Sequence, residues 1–257
     1  MSSLHQLKIL CTNHDIYHFK ELFETNNFYS DEERDSLIWN AIKVRNMKIL
    51  FYLLERGFGI SNEQIVQTVY FPHMKIPKIK FLLEREIDSE SRSIIISYYV
   101  MRGNDEIVEI LLRQGADANE LMNDRVSHSR FSGNRRLINV AVYFKYISVC
   151  KILLSNGANP SLDNSYCLSL AIRLANEEII KLLLSYGADP SVITKDDIGD
   201  LIKSKPSLSL INFLVEYGLD LSMINTLKFT PSTTDEAFAR LLGLGIDPAI
   251  LIRLCGN

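Results

Sequence analysis

One sixteen-residue stretch, Asn176 to Ser191 (NEEIIKLLLSYGADPS), limits what this chain can fold into more than any other. Ile179, Ile180, Leu182, Leu183 and Leu184 form an apolar stripe too wide for a helix that rests on one surface, so this helix expects neighbours on two sides. Asn176 is placed to cap the first amides, and Glu177 and Glu178 sit where the positive end of the helix dipole favours acids. Gly187 follows the last turn, where a left-handed residue ends a helix without Cβ strain. Ala188-Asp189-Pro190 then turns the chain away, because proline cannot continue a helix. The same pattern recurs as NDEIVEILLRQGADAN from Asn104 and YISVCKILLSNGANPS from Tyr146. The chain is a repeat array, and this stretch is its unit.

The spacing agrees. The helix-ending position is held by Gly57, Glu86, Gly115, Gly157, Gly187, Gly218 and Gly245, at intervals of 29, 29, 42, 30, 31 and 27 residues. Repeats of roughly 20–50 residues define stacked solenoids, in which each unit packs on its neighbours. The wording Gly-Ala-Asp after Glu-Ile-Val/Ile-x-Leu/Ile-Leu-Leu resembles the ankyrin repeat, whose pattern is T-P-L-H-x-A followed by E-I-V-x-L-L-L-x-x-G-A-D. The second half matches closely in three units. The first half is degenerate: Tyr166-Cys167-Leu168-Ser169 stands where T-P-L-H would be, followed after Leu170 by the family's alanine at Ala171. Leu137 to Ala141 and Leu37 to Ala41 keep only the apolar residue and the alanine.

The resemblance implies an all-α fold, an ankyrin-repeat solenoid of stacked antiparallel helix pairs with short hairpin loops, as a single domain over 1–257. Its units are expected at 1–30 (an atypical N-terminal cap), 31–60, 61–89 and 90–119, then at 136–161, 162–191, 192–221 and 222–257. The unit at 61–89 is the most divergent: Glu86 replaces glycine, and Pro72 and Pro77 bracket the turn between its helices, so a local irregularity is expected there. The last unit has a poor first helix around Pro231, and Pro248 to Cys255 is expected to close the stack.

The long interval places roughly twelve extra residues in one unit, an insertion over 120–135. Arg125, Arg130, Arg135, Arg136 and His128, with Phe131 among them, stand there against Glu120 and Asp124. Insertions in repeat arrays map to loops on one face, often the binding face. The competing reading is a solvated surface loop, which costs little to lengthen. On the first helices, Tyr98, Tyr143 and Arg173, with Arg102 nearby, are candidate contacts of a concave surface, since interface hot spots favour aromatic residues and arginine. Trp39 and Tyr70 share that placement, and for Trp39 ordinary packing is the expected role.

The remaining features exclude more than they assign. A net charge of −3 and a pI near 6.0 argue against nucleic acid as partner, since such proteins carry a basic footprint. No apolar run reaches the ~18 residues of a membrane span, and MSSLHQLKILCTNHD lacks the marks of a secretory signal. Cys11, Cys150, Cys167 and Cys255 are scattered, as small buried hydrophobes of a reducing compartment would be, and a cytoplasmic location is expected. No cofactor and no metal site is expected: His14 and His18 are four apart on an expected helix and could share a face, but no second pair stands at matching spacing. Glu177-Glu178 answers to the helix dipole rather than to acid–base work, so no catalytic constellation and no enzyme is read here.

The ankyrin resemblance therefore implies a non-catalytic protein–protein interaction module. Shortened repeats and a composition rich in Ile, Leu, Asn, Ser and Lys are similar to the ankyrin proteins of large DNA viruses and intracellular bacteria, which implies an effector with a host protein as partner. The alternative is an effector whose arginine-rich insertion binds an anionic ligand, nucleic acid or phospholipid.

Overall fold

The computed structural model describes residues 3–25, 29–71, 74–126, 135–203, 210, 213–214 and 216–218. Contacts group the chain into two compact units, Met1–Ile95 and Ile96–Asn257. In the first unit, α1 (Ser3–Thr12), α2 (Ile16–Thr25), α3 (Asp31–Lys43), α4 (Met47–Glu55), α5 (Asn62–Val69) and α6 (Ile76–Leu83) form three helix pairs. The division falls inside α7 (Ser89–Met101), after which come α8 (Asp105–Arg113), α9 (Leu137–Tyr143), α10 (Ile147–Ser155), α11 (Leu162–Arg173), α12 (Glu177–Ser185) and α13 (Lys195–Lys203). All are helices, as the repeat predicts.

Several of the described pairs are built by the same local rules. Asn46, Asn104 and Asn176 accept hydrogen bonds from the amides of Ile49, Ile107 and Ile179 at 3.2, 3.0 and 3.1 Å, capping α4, α8 and α12. The first helices end in paired bonds that satisfy their last carbonyls: Asn104 N donates to Tyr99 O at 3.0 Å and Gly103 N to Val100 O at 3.1 Å. Tyr146 and Lys145 repeat this against Ala141 and Val142, and Asn176 and Ala175 against Ala171 and Ile172. The price is a left-handed residue at each turn: Arg45, Gly103, Lys145 and Ala175 have φ of 56, 67, 60 and 50°. Second helices end alike, Ala188 N donating to Leu183 O and Gly187 N to Leu184 O, both at 3.0 Å.

The wide apolar stripe is buried on both sides, as its width requires. Ile179, Ile180, Leu183 and Leu184 of α12 are core residues, as are Val149, Cys150, Leu153 and Leu154 of α10. Burial pushes the Cys150 and Cys167 thiols up to about 12 and the Cys11 thiol up to about 11.

Two local expectations change, at the N-terminal unit and at the insertion. The N-terminal unit is a complete pair, with α1 burying Leu7 and Cys11, where the sequence pattern marks only its second helix. In the divergent third pair α5 stops at Val69, α6 lacks a side-chain cap, and Pro77 lies in its first turn, a place that tolerates a missing amide, while Pro72 lies outside the described residues. The insertion is not a solvated loop throughout. Leu121 and Arg136 form an antiparallel bridge, Met122 N donates to Arg135 O at 2.7 Å, and Met122 and Val126 are buried. The closing segments around Pro231 and Pro248–Cys255 lie outside the described residues.

Candidate functional site

Register decides which side chains of the second unit face outwards. Counting back from the paired terminal bonds, Tyr99, Ala141 and Ala171 are equivalent. Met101, Tyr143 and Arg173 are then equivalent too, two positions further on, at the ends of α7, α9 and α11. Tyr143 is 38% exposed, Arg173 is exposed and Met101 half-buried, so successive repeats present a row of large side chains. Tyr143 leans edge-on against Phe144, and the Arg173 guanidinium lies 5.8 Å from the Tyr166 ring centre. Rings and guanidinium held in this way are partly ordered before any partner arrives.

Tyr98 stands elsewhere in the register, with Val140 and Leu170, and both of those are core residues. Its ring is 7% exposed, and the exposed Arg102 covers it with its guanidinium 4.4 Å from the ring centre. Tyr98 therefore packs the repeat, and burial raises the pKa of its hydroxyl. Comparison with Val140 and Leu170 is the signal in the sequence that separates it from Tyr143. Trp39 and Tyr70 are half-buried.

The insertion's described arginines have internal tasks. Arg136 pairs through Nε and Nη2 with the Asp163 carboxylate, and its Nη1 donates to Asn119 O at 2.5 Å. Arg135 pairs with Asp124 at 2.7 Å. These contacts close the stem of the insertion rather than hold cations ready for a ligand. Arg125 is exposed, with its amide bonded to the Asn123 side chain at 3.0 Å. His128, Arg130 and Phe131 lie outside the described residues.

What the sequence does not foresee is the stitching of neighbouring loops. Asn119 donates from Nδ2 to Gly157 O at 2.9 Å and accepts from Asn159 N at 2.7 Å. Ser161 Oγ donates to Gly187 O at 2.6 Å. Asp163, Asn164 and Ser165 run through three left-handed conformations at the start of α11. The Asp163 carboxylate is gripped by Arg136, and Ser165 Oγ accepts from Asp189 N at 2.9 Å. This left-handed turn immediately precedes Tyr166-Cys167-Leu168-Ser169, which stands where T-P-L-H would be.

Among the described residues, no group of His, Cys, Asp and Glu could hold a metal, and no helix is long and apolar enough to cross a membrane. Equivalent positions recurring on stacked helix pairs, with loops stitched to their neighbours, define a helical repeat protein. A family model described as ankyrin repeats, in three copies, matches residues 96–194. Over residues 96–194 the chain carries ankyrin repeats. Ankyrin repeats are in general protein–protein interaction modules and typically non-catalytic.

Proposed function

We propose that this chain recognises a protein partner without acting on it chemically, and that Met101, Tyr143 and Arg173 contribute the contact from its second unit. The observation that carries this reading is their register: one position, repeated on three successive helix pairs, holds a large side chain each time, half-buried at Met101 and exposed at Tyr143 and Arg173. Tyrosine, arginine and methionine are enriched in interfaces because each offers contact area with little freedom left to lose or a shape that adapts. The partner proposed is a host protein, in line with the resemblance to viral and bacterial ankyrin effectors.

The anionic-ligand alternative has less support, because carboxylates of this chain already hold Arg135 and Arg136. The test is quantitative affinity capture with wild type and a Tyr143→Ala/Arg173→Ala variant. Loss of a captured protein, with thermal stability unchanged and the protein's mass unaltered by capture, supports the reading. Identical capture by both forms overturns the placement.

A further inference from the structure

On the second helices of the first unit lies a cleft of about 430 Å³, lined by Ile16 and Lys20 of α2, Lys48, Phe51, Tyr52 and Glu55 of α4, and Pro77, Lys78 and Phe81 of α6. Its floor is aromatic. Phe51 and Tyr52 are each 7% exposed, and the Phe51 and Phe81 rings sit 5.7 Å apart. Its rim is cationic. Lys20 stands 4.8 Å from the Tyr52 ring centre and Lys78 stands 4.5 Å from that of Phe51. Among the described residues, no carboxylate forms an ion pair with Lys20, Lys48 or Lys78, and Glu55 is the only acid lining the cleft.

The fold does not require this arrangement. In register with the helix caps Asn46, Asn104, Tyr146 and Asn176, Phe51 corresponds to Glu109, Lys151 and Lys181, ordinary polar positions of a second helix. Lys48 corresponds to Glu106, Ser148 and Glu178, two of them acids suited to the helix dipole. The first unit thus places an aromatic side chain where the other repeats are polar, and a cation in the first turn of α4, where the dipole disfavours one. Ammonium groups held over rings keep their hydrogen-bond donors, and gathering three of them beside a single acid is unfavourable until an anion arrives.

We propose that this cleft binds an acidic segment of a protein partner, its carboxylates meeting Lys20, Lys48 and Lys78 and its intervening side chains resting on Phe51 and Phe81. The proposal deepens the protein-recognition reading and rests on it, but on a different unit and different residues. Packed helices lie roughly 8–10 Å apart. A polyproline II segment rises about 3.1 Å per residue with three residues per turn, so one crossing α2, α4 and α6 meets successive lysines about every third residue with the same face. Carboxylates at that spacing along one face of such a segment fit the rim better than a single small anion does.

The experiment is fluorescence anisotropy of the full chain with a fluorescein-labelled peptide carrying glutamate at every third position, against the same peptide with glutamine. The glutamate peptide binds and the glutamine peptide does not. Lys20→Gln/Lys48→Gln/Lys78→Gln weakens binding at least about tenfold, added salt weakens it further, and Glu55→Gln tightens it. These side chains are on the surface, so thermal melting of each variant stays near that of wild type. No binding of the glutamate peptide, binding that the lysine variant retains, or binding of inorganic pyrophosphate in its place overturns the proposal. None of those results bears on Tyr143 and Arg173, whose test reads capture through the second unit.

Discussion

At Gly103 the backbone is left-handed, and a Cβ there would stand 2.8 Å from the Tyr146 ring. Gly103→Ala therefore combines backbone strain with a clash and costs about 1–3 kcal/mol in chemical denaturation. Ala175 occupies the same turn at φ 50° without a structural need for its methyl group, so Ala175→Gly gains about 0.5–1 kcal/mol. Opposite signs at equivalent positions are the test; the same sign at both contradicts the turn geometry. His18 offers a pH readout: Nδ1 stands 2.6 Å from Asp15 Oδ2. That hydrogen bond raises the His18 pKa above its ordinary 6.5 and lowers that of Asp15 below 3.8. The pair's contribution through His18 is complete below about pH 6.5 and fades as pH rises through the folded value, while its contribution through Asp15 fades as pH falls below 3.8. NMR titration shows an elevated His18 midpoint that Asp15→Asn returns towards 6.5. An unchanged midpoint contradicts the pairing.

At the scale of elements, the stem of the insertion depends on Arg136, which ties Asn119 to Asp163. Arg136→Gln leaves Asp163 without its cation and costs about 1–2 kcal/mol, with faster amide exchange at Met122 and Leu137. Stability and exchange equal to wild type contradict the linkage. The buried thiols give a second test: Cys11, Cys150 and Cys167 react slowly with a thiol reagent at neutral pH and quickly once the chain unfolds, since thiolate is disfavoured in the core. How far the elements were legible in the sequence follows from the kind of interaction that sets them. Caps at Asn104 and Asn176 and the stop at Gly187 are local, and the text of the chain carries them. The helix α1 ends in the same paired bonds, from Asp15 N to Leu10 O and from His14 N to Cys11 O, but with a left-handed histidine where a pattern search expects glycine, and it packs Leu7 and Cys11. The bridge of Leu121 to Arg136 joins residues far apart in sequence, which no local pattern announces. Tyr98 was legible in principle, because its register partners Val140 and Leu170 are apolar.

For the whole molecule, each repeat adds an outward position that folding does not need, and such positions are free to become contacts. Tyr143 and Arg173 fill them in the second unit, while Lys20, Lys48 and Lys78 around an aromatic floor depart from the repeat pattern in the first. The side chains Tyr143, Arg173, Lys20, Lys48 and Lys78 lie outside the core, so binding and stability separate when they are changed. Leu153→Ala, in the core of α10, costs about 2–5 kcal/mol instead, and loses binding only by loss of fold.

The most direct test of recognition without catalysis is side-by-side quantitative capture by wild type, by Tyr143→Ala/Arg173→Ala and by Leu153→Ala, with a melting curve for each. The account predicts that the first variant loses a specific protein while melting like wild type, and that the second loses it only where it has unfolded. A specific protein held equally by wild type and the Tyr143/Arg173 variant, or one recovered chemically altered, would contradict it.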